Sequence, residues 1–352
     1  MPLPKNPWCG GGGAIRTWKI NTLLAQRGHE ITLCCGNFPG AKISIGNEPF
    51  EVRFLGEATN YIESRLKFVA YSATVSAGNY DIVVEDFSAY APVFPRLQGA
   101  PRITVLHSFY GLGALRMNGI LGIFSLLSEF LILKRRENVI LVSPHLKQAV
   151  PRAENIEIIG QGVDVPVDLP PPTEEFVLYL GRIDIEVKGL DLLLKGWSMI
   201  APHHRKFPLF IVGGGHQNEI DRLKRMIHAL GLKDVILKGR VSHEEGMRYI
   251  NRASFVVMPS RSEGFGLVAA EVLRLRKPII VSDIPSLKAI INNYGVIVRK
   301  ADVKQLSESM KQLILNEQYR RHLSASIGMK DFKRFEWSYI VRQTENFYQR
   351  LL

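Results

Sequence analysis

Residues 259–273 read PSRSEGFGLVAAEVL and follow the apolar run ASFVVM. The apolar run predicts a buried strand, and the glycine-broken stretch after it predicts a turn that opens a helix. The first N–H groups of a helix lack intrahelical partners and, together with the helix dipole, favour an anion. Gly264 and Gly266 would let a ligand approach the backbone, and Glu263 and Glu271 supply acceptors for hydroxyl groups. This stretch therefore predicts a site for a ligand with both phosphate and hydroxyl groups, such as a nucleotide sugar.

Short apolar strands alternate with helical stretches on both sides of a proline-rich segment, residues 167–175. Repeated alternation of this kind predicts parallel sheets covered by helices. We predict an α/β protein with two doubly wound, Rossmann-like domains that face a central cleft. The N-terminal domain is expected at residues 1–166 and the C-terminal domain at 167–334, with a closing helix at 335–352 that packs back on the N-terminal domain.

The beginning of the chain lacks the strand that a doubly wound domain needs before its glycine-rich turn. Prolines at positions 2, 4 and 7 exclude a central strand ahead of the glycine cluster at residues 10–13. Either the strand is missing from this sequence or the fold does without it, and we expect the former, with a first strand of about six residues upstream of Met1.

The composition limits the classes of protein to which this chain can belong. A chain of 352 residues with 46% hydrophobic and 22% charged residues is typical of globular proteins and long enough for two domains. Its three cysteines, Cys9, Cys34 and Cys35, are too few for a disulfide framework and lack zinc-site spacing. The first residues, MPLPKNPW, contain no apolar signal segment, so we predict a cytoplasmic protein.

The net charge of +12 is compatible with an anionic small molecule, with nucleic acid or with an anionic membrane surface. No Lys/Arg block is interleaved with aromatic residues, so we expect no nucleic acid partner. Residues 117–136 contain the apolar run GILGIFSLLSEFLIL, which is shorter than the ~20 residues that span a bilayer. Two interpretations remain: a peripheral contact with the inner face of the membrane, with Lys134, Arg135 and Arg136 at the headgroups, or a core-packing helix with a solvated basic end.

A second motif, GRIDIEVKG at residues 181–189, follows the predicted strand FVLYL. Arg182 and Lys188 lie beyond its carboxyl end, where two cations could hold a diphosphate and stabilise charge on a departing phosphate. Asp184 and Glu186 imitate a metal-binding pair, but carboxylates two apart in a loop are more often solvated, so we expect no metal.

GRIDIEVKGLD, PLFIVGGG and PSRSEGFGLVAAE, in this order and spacing, resemble the family 4 retaining glycosyltransferases of the GT-B fold. The resemblance covers most of residues 155–315. It extends more weakly to the N-terminal half through GGGGAIRTWKINTLLAQRGHEITL, TVLHS and IIGQGVDV.

The resemblance implies a role for each matching residue. Arg182 and Lys188 would bind the diphosphate, Glu263 the sugar hydroxyls and Glu271 the ribose, while His107 would face the sugar and the acceptor. Gly12 and Gly13 would form a loop that closes on the sugar donor, and Arg240 would lie near the base. The implied catalytic residues are Glu263, Lys188, Arg182 and His107. The implied residues for binding the sugar donor are Glu271, Gly264, Phe265, Gly266, Leu267, Val268, Gly12, Gly13, Gly213 and Arg240.

The implied activity is metal-independent transfer from a nucleotide-diphosphate sugar to a hydroxyl acceptor on a polysaccharide, glycolipid or metabolite. The sugar nucleotide is a co-substrate, and no cofactor is expected. Retention would come from front-face attack, with the departing phosphate taking the acceptor proton. The alternatives are a nucleotide-sugar-binding protein without turnover, a phosphorylase, or a nucleotide-sugar epimerase of the same fold.

Two features of the sequence leave the acceptor side open. Glu85 and Asp86 end a predicted strand and could contact the acceptor or form a solvated strand end. Ser286 stands where the family commonly has a glutamate after the proline of SDIPSLKAI.

Overall fold

A computed structural model describes residues 11–38, 48–109, 111, 121–166, 168–171, 173, 175–329 and 332–352. The chain divides into two compact units. The N-terminal unit comprises residues 1–162 and 336–352, and the C-terminal unit comprises residues 163–335. The chain thus passes between units after Gly162 and again after Phe335, whereas the sequence placed these boundaries after residues 166 and 334.

The N-terminal unit is built from parallel strands and the helices between them. Its elements before the first crossing are α1 (Gly12–Gln26), β1 (Thr32–Gly36), β2 (Glu51–Leu55), α2 (Tyr61–Ser72), β3 (Val83–Asp86), β4 (Arg102–Leu106), α3 (Leu121–Ile132), β5 (Asn138–Leu141) and β6 (Asn155–Ile158). Within the described residues, β1 pairs with β2, and the other strands form a parallel sheet in the order β3-β4-β5-β6. The strand predicted upstream of Met1 and residues 1–10 lie outside the described residues.

The C-terminal unit contains one six-stranded parallel sheet. Its strands are β7 (Phe176–Leu180), β8 (Leu209–Val212), β9 (Val235–Gly239), β10 (Ala253–Met258), β11 (Ile279–Ser282) and β12 (Val296–Val298). Its helices are α4 (Ile185–Lys188), α5 (Leu190–Ser198), α6 (Gln217–Ala229), α7 (His243–Arg252), α8 (Leu267–Arg274), α9 (Pro285–Ile291), α10 (Val303–Leu315) and α11 (Glu317–Gly328).

The strand order β12-β11-β10-β7-β8-β9 is that of a Rossmann sheet, in which the chain starts at the centre, builds one half and returns to build the other. Both faces of its central strands, β7 and β10, are buried. Val177 and Tyr179 of β7 belong to one hydrophobic cluster, whereas Phe176 and Leu178 belong to another. Continuous apolar runs such as FVLYL form buried parallel strands because their alternate side chains fill two separate cores.

The last helix, α12 (Trp337–Gln349), belongs to the N-terminal unit. Ile340 and Phe347 on its apolar stripe share a buried cluster with Ile20 and Leu24 of α1. The closing helix expected at residues 335–352 thus packs on α1 through an apolar stripe, because residues three, four and seven apart lie on one side of a helix.

Candidate active site

The candidate site lies where the Rossmann sheet of the C-terminal unit reverses its strand order. β7 and β10 are neighbours at the centre of this sheet, and the connections that follow them build opposite halves. Ligands of doubly wound sheets bind beyond the carboxyl ends of such a strand pair. The segment after β7 carries Arg182 and Lys188, and the segment after β10 carries Glu263, so the topology explains why both motifs serve one site.

Lys188 and Glu263 form an ion pair at this point. The Nζ atom of Lys188 lies 2.7 Å from both Oε1 and Oε2 of Glu263, and Ser260 Oγ donates to Oε1 at 2.8 Å. Only 19% of the Lys188 side chain and 10% of the Glu263 side chain are exposed. An ammonium has three donors and a carboxylate about four acceptor positions, so one donor and one acceptor remain for a ligand. The pair can therefore hold an anion and a hydroxyl group side by side.

Local backbone geometry sets the position of Lys188. Asp184 caps the short helix α4 by accepting from Val187 N at 3.0 Å, and Gly189 ends it with φ 67° in the left-handed region. A Cβ on Gly189 would lie 2.1 Å from the carbonyl oxygen of Pro259. Glycine is therefore required where the segment after β7 touches the segment after β10.

Arg182 is not part of the ion pair. Its side chain is 61% exposed, and its Nη2 atom lies 3.0 Å from Asp184 Oδ2. Its carbonyl oxygen accepts from the Tyr179 hydroxyl at 2.7 Å, which fixes the backbone while the guanidinium stays in solvent. The structure therefore fixes Lys188 in place but leaves Arg182 able to turn toward an arriving anion.

The carboxylates of the RIDIE segment have different surroundings. Asp184 caps α4 and pairs with Arg182, whereas the Glu186 side chain is 77% exposed and 3.8 Å from Arg261 Nε. Asp184 thus serves as a helix cap while its side chain stays 28% exposed. Across the described residues, no cluster of three or more His, Cys, Asp or Glu side chains is arranged to hold a metal ion.

Helix α8 begins at the glycine-broken turn. Gly266 precedes it with φ 96°, and a Cβ there would lie 2.7 Å from Leu287 Cδ2. The N–H groups of Leu267 and Val268 are among those that a helix leaves without intrahelical partners. Phe265 packs edge-on against Phe335, with ring centroids 6.4 Å apart, so its side chain contributes to the core and its backbone to the turn.

Glu271 lies on α8 with a side chain that is 5% exposed. Its Oε1 atom is 3.5 Å from Nδ1 of His243, whose Nε2 atom is 3.2 Å from the carbonyl oxygen of Asp164. Burial raises the pKa of the Glu271 carboxyl above its ordinary value, and the charge of His243 partly offsets this rise. The charge of this buried carboxylate is only partly compensated, so it lowers the stability of the protein without ligand. Such a cost is expected of a group that binds a ligand.

We expect Glu271→Gln to stabilise the ligand-free protein at neutral pH. A raised pKa means that the folded protein holds this proton more tightly than the unfolded chain, so the free energy of unfolding falls as the pH rises through that pKa. The neutral amide of the variant carries no such penalty, so its advantage should shrink as the pH approaches about 4. Urea unfolding of both proteins across this pH range measures the difference. An advantage that does not change with pH, or no advantage at pH 7, contradicts this interpretation.

Gly213 and Arg240 follow neighbouring strands, β8 and β9. Gly213 has φ 148°, and a Cβ there would lie 1.8 Å from the carbonyl oxygen of Gly181. Arg240 is exposed, and its Cβ atom would lie 3.1 Å from a Cβ built on Gly214. The PLFIVGGG motif thus lets three strand ends approach one another at the edge of the sheet where ligands bind.

His107 lies in the N-terminal unit, directly after β4. Its Nε2 atom is 2.5 Å from Oδ1 of Asp86, and that oxygen also accepts from Thr17 Oγ1 at 2.8 Å. Gly13 lies against the ring, since a Cβ there would be 3.3 Å from His107 Cγ. Gly12 faces the buried Gln161, whose Oε1 would be 3.5 Å from a Cβ at that position.

The prediction that Gly12 and Gly13 form a loop is wrong. Both residues lie in the first turn of α1, which starts at Gly12. Glycine is a poor helix former, but here the missing Cβ lets the first turn approach the ring of His107.

Glu85 is buried and the side chain of Asp86 is only 9% exposed, so the alternative of a solvated strand end is wrong. Glu85 is 3% exposed, with Oε2 2.8 Å from Arg136 Nη2 and 3.8 Å from Arg102 Nη1. Burial raises the pKa of the Glu85 carboxyl, and the two arginines oppose this rise. Glu85 therefore belongs to a buried ion cluster of the N-terminal unit, while Asp86 contacts His107.

Several residues of the site escaped the sequence analysis. Ser260 lies inside the PSRSEGF motif but was given no role, and His243 lies outside every motif; they contact Glu263 and Glu271, respectively. The pairing of Asp86 with His107 had a signal, because parallel neighbours β3 and β4 bring their carboxyl ends together, with Asp86 opposite Val105.

Two family models match consecutive parts of the chain. The model described as Glycosyltransferase Family 4 matches residues 10–166, and the model described as Glycosyl transferases group 1 matches residues 164–327. An uncharacterized glycosyltransferase of Methanocaldococcus jannaschii is 28% identical over 221 residues, which is 61% of this chain and 60% of that protein. The D-inositol 3-phosphate glycosyltransferase of a Nocardioides species is 26% identical over 55% of this chain and 48% of its own length. The matched part therefore spans less than two thirds of either relative.

Solved structures resemble nearly the whole chain. A sucrose-phosphate synthase from Thermosynechococcus elongatus superposes with a TM-score of 0.79 at 24% identity, covering 97% of this chain and 94% of that one. Anabaena HepE, in complex with UDP and glucose, superposes with a TM-score of 0.76 at 16% identity, covering 97% of each chain. At these identities the likeness shows the fold, which is GT-B. Since the two family models together cover residues 10–327, this chain belongs to glycosyltransferase family 4, one of the glycosyl transferases group 1.

Proposed function

We propose that this chain is a retaining, metal-independent glycosyltransferase that moves a sugar from a nucleotide-diphosphate sugar to a hydroxyl acceptor. The observation that carries the proposal is the Lys188–Glu263 pair at the strand reversal, beside the first turn of α8. A cation and free N–H groups suit a diphosphate, and a carboxylate suits sugar hydroxyls. The complexes of Anabaena HepE with UDP and glucose support a sugar nucleotide as the ligand class.

In the proposed reaction the bond from the sugar C1 to the β-phosphate oxygen breaks while C1 bonds to the acceptor oxygen. The acceptor proton passes to the departing phosphate. Negative charge grows on that phosphate as C1 becomes oxocarbenium-like, so Lys188, Arg182 and the N-terminus of α8 would stabilise the transition state more than the bound sugar nucleotide.

The remaining residues would hold the sugar donor in place. Glu263 would accept hydrogen bonds from the sugar hydroxyls through the oxygen position that Lys188 and Ser260 leave open. Glu271 would accept from the ribose hydroxyls, which would compensate its buried charge. His107 of the N-terminal unit would act on the sugar and acceptor side.

The test is a transfer assay with UDP-, GDP-, ADP- and dTDP-sugars and a panel of alcohols and sugars as acceptors, run with and without EDTA. We expect release of nucleoside diphosphate that EDTA leaves unchanged, and a product whose anomeric configuration, read by proton NMR, matches that of the sugar donor. An inverted product contradicts retention, and loss of turnover with EDTA contradicts metal independence. Binding without release under every condition favours a protein without turnover, and isomerised sugar nucleotide favours the epimerase.

We further propose that α3 brings the transferase to an anionic membrane surface. Phe124 and Phe130 are 65% and 57% exposed, and further exposed apolar side chains share their side of the helix: Ile123, Leu127 and Leu131. Glu129 is on the opposite side, 2% exposed, and accepts from Gly111 N at 2.8 Å. In the described part of the chain, no helix combines the length and apolar character needed to cross a bilayer.

The charges next to this apolar face suit anionic lipids. Lys134 Nζ lies 3.6 Å above the Phe130 ring, and Arg135 is exposed. Arg136 pairs with Glu85, so its predicted position at the headgroups is wrong. The apolar face itself carries no acidic side chain and borders the half-buried Lys134 and the exposed Arg135, with the exposed Glu137 two residues further on. Such a face suits an anionic membrane surface.

Sedimentation with vesicles tests this contact. We expect binding to phosphatidylcholine vesicles that contain phosphatidylglycerol, weaker binding without it, and loss of binding in Phe124→Ser/Phe130→Ser. Ile62→Ser/Leu66→Ser is the matched control, because these α2 side chains are 64% and 68% exposed but flank the Glu63–Lys67 ion pair. Equal loss in both variants, or no dependence on anionic lipid, contradicts the proposal.

A further inference from the structure

Asp86 and His107 meet at the carboxyl ends of two neighbouring parallel strands. Asp86 is the last residue of β3, and His107 directly follows β4. The Nε2 atom of His107 lies 2.5 Å from Oδ1 of Asp86, which is within hydrogen-bonding distance. A carboxylate can only accept, so the Nε2 atom of His107 carries the hydrogen of this bond.

The carboxylate of Asp86 is itself held by α1. Thr17 donates to Oδ1 at 2.8 Å, and the side chain of Arg16 reaches the carbonyl oxygens of Gly160 and Ile159 at 3.1 and 3.3 Å. Burial alone would raise the pKa of the Asp86 carboxyl, but hydrogen bonds from His107 and Thr17 and the charges of His107 and Arg16 hold it below its ordinary value. Asp86 is therefore a fixed negative charge next to the Nε2 atom of His107.

The ring of His107 has little freedom to turn. Gly13 covers it on the side of α1, with a hypothetical Cβ only 3.3 Å from Cγ and 3.4 Å from Nδ1. Among the described residues, Nδ1 has no hydrogen-bond partner. With Nε2–H committed to Asp86, the neutral ring keeps its unprotonated nitrogen at Nδ1, the edge turned away from the carboxylate.

We propose that Asp86 is a positioning residue that fixes the orientation and the Nε2–H tautomer of His107 for glycosyl transfer. The inference rests on the proposed function, because it assigns Asp86 a task within that reaction. This role replaces the expectation that Asp86 contacts the acceptor, because both observed hydrogen bonds of its Oδ1 atom are with His107 and Thr17. Asp86 would act on the rate of transfer through His107 and have little effect on binding of the sugar nucleotide.

The first test reads the tautomer directly. Nitrogen-15 NMR of protein labelled at histidine, with the His107 signals assigned from a His107→Ala spectrum, should show protonated Nε2 and unprotonated Nδ1 in the neutral ring. In Asp86→Asn the preference should be lost, since an amide can donate to Nε2 as well as accept from it. An Nδ1–H tautomer in the wild-type protein overturns the proposal, whatever the variants do.

The second test separates positioning from folding. We expect Asp86→Asn to lower kcat about 10²-fold, a loss typical of misplacing one proton-bearing group, with the KM for the sugar nucleotide changed less than about threefold. Asp86→Asn/His107→Ala should be no slower than His107→Ala alone, because the two residues act as one unit. Additive losses overturn the proposal.

Matched controls distinguish the possible failures. Thr17→Ser keeps the hydroxyl and should preserve both kcat and the tautomer, whereas Thr17→Val should lower kcat without unfolding α1. An Nε2–H tautomer in a protein that releases no nucleoside diphosphate from any sugar nucleotide would leave the pairing intact and refute the proposed function. Full kcat in Asp86→Asn would leave the proposed function intact and refute the role of Asp86 in positioning His107.

Discussion

Replacing Lys188 by alanine is expected to lower kcat/KM for transfer by about 10²-fold, the usual cost of removing one preorganised group that stabilises developing charge. The variant loses the cation that would face the departing phosphate. It also leaves Glu263, 10% exposed and hydrogen-bonded to Ser260, as an uncompensated carboxylate beside the diphosphate. The initial rate of nucleoside diphosphate release, with circular dichroism to confirm folding, measures the effect.

Two further variants make this prediction specific. Lys188→Ala/Glu263→Gln should bind the sugar nucleotide more tightly than Lys188→Ala, because it removes the repulsion between carboxylate and diphosphate. Lys224→Ala is the matched control, since Lys224 is 60% exposed and only 3.9 Å from Asp221 on the surface of α6. Unchanged turnover in Lys188→Ala, or an equal loss in Lys224→Ala, would refute the assignment.

Gly189→Ala is expected to destabilise the C-terminal unit by about 3 kcal/mol or more. A left-handed conformation costs a non-glycine residue about 1–2 kcal/mol, and forcing a methyl group into packed surroundings adds about 1–3 kcal/mol. At Gly189 the obstacle is the backbone carbonyl of Pro259, 2.1 Å from the hypothetical Cβ, which no side-chain rotation can relieve.

Gly231→Ala separates these two costs. Gly231 has φ 63°, close to the 67° of Gly189, but nothing lies within 4 Å of its hypothetical Cβ. This variant should therefore lose only about 1–2 kcal/mol. Urea unfolding of both variants gives the difference, which is the cost of separating the segments after β7 and β10. Equal losses would mean that this close approach contributes nothing.

The C-terminal half of the site could largely be predicted from the sequence because its chemistry is local. The GRIDIEVKG and PSRSEGFGLVAAE motifs each follow a strand, and parallel strands deliver their carboxyl ends to one edge. The pairing of Lys188 with Glu263 could not be predicted, since it depends on β7 and β10 being neighbours. The position of the Arg182 guanidinium, which stays in solvent beside Asp184, could not be predicted either.

The N-terminal unit was harder to predict, because its polar residues pair with one another in buried surroundings. Glu85 and Asp86 resemble a polar strand end, yet Arg136 and Arg102 hold one and His107 the other. Charge alone does not tell a solvated carboxylate from one paired with a residue that is distant in sequence. The glycine cluster likewise favoured a loop, because glycine has a low intrinsic helix propensity. In the structure the first turn of α1 uses glycine to approach His107, which propensity alone does not predict.

Thermal unfolding in the presence of UDP-, GDP-, ADP- and dTDP-sugars tests most directly whether the Lys188–Glu263 site binds a sugar nucleotide. A ligand at about 100 times its dissociation constant adds ~2.7 kcal/mol of stability to the state that binds it. We predict that at least one of the four raises the unfolding temperature of the wild-type protein in EDTA, and that Lys188→Ala abolishes most of the rise. No rise with any of the four, or an equal rise in Lys188→Ala, would contradict the account.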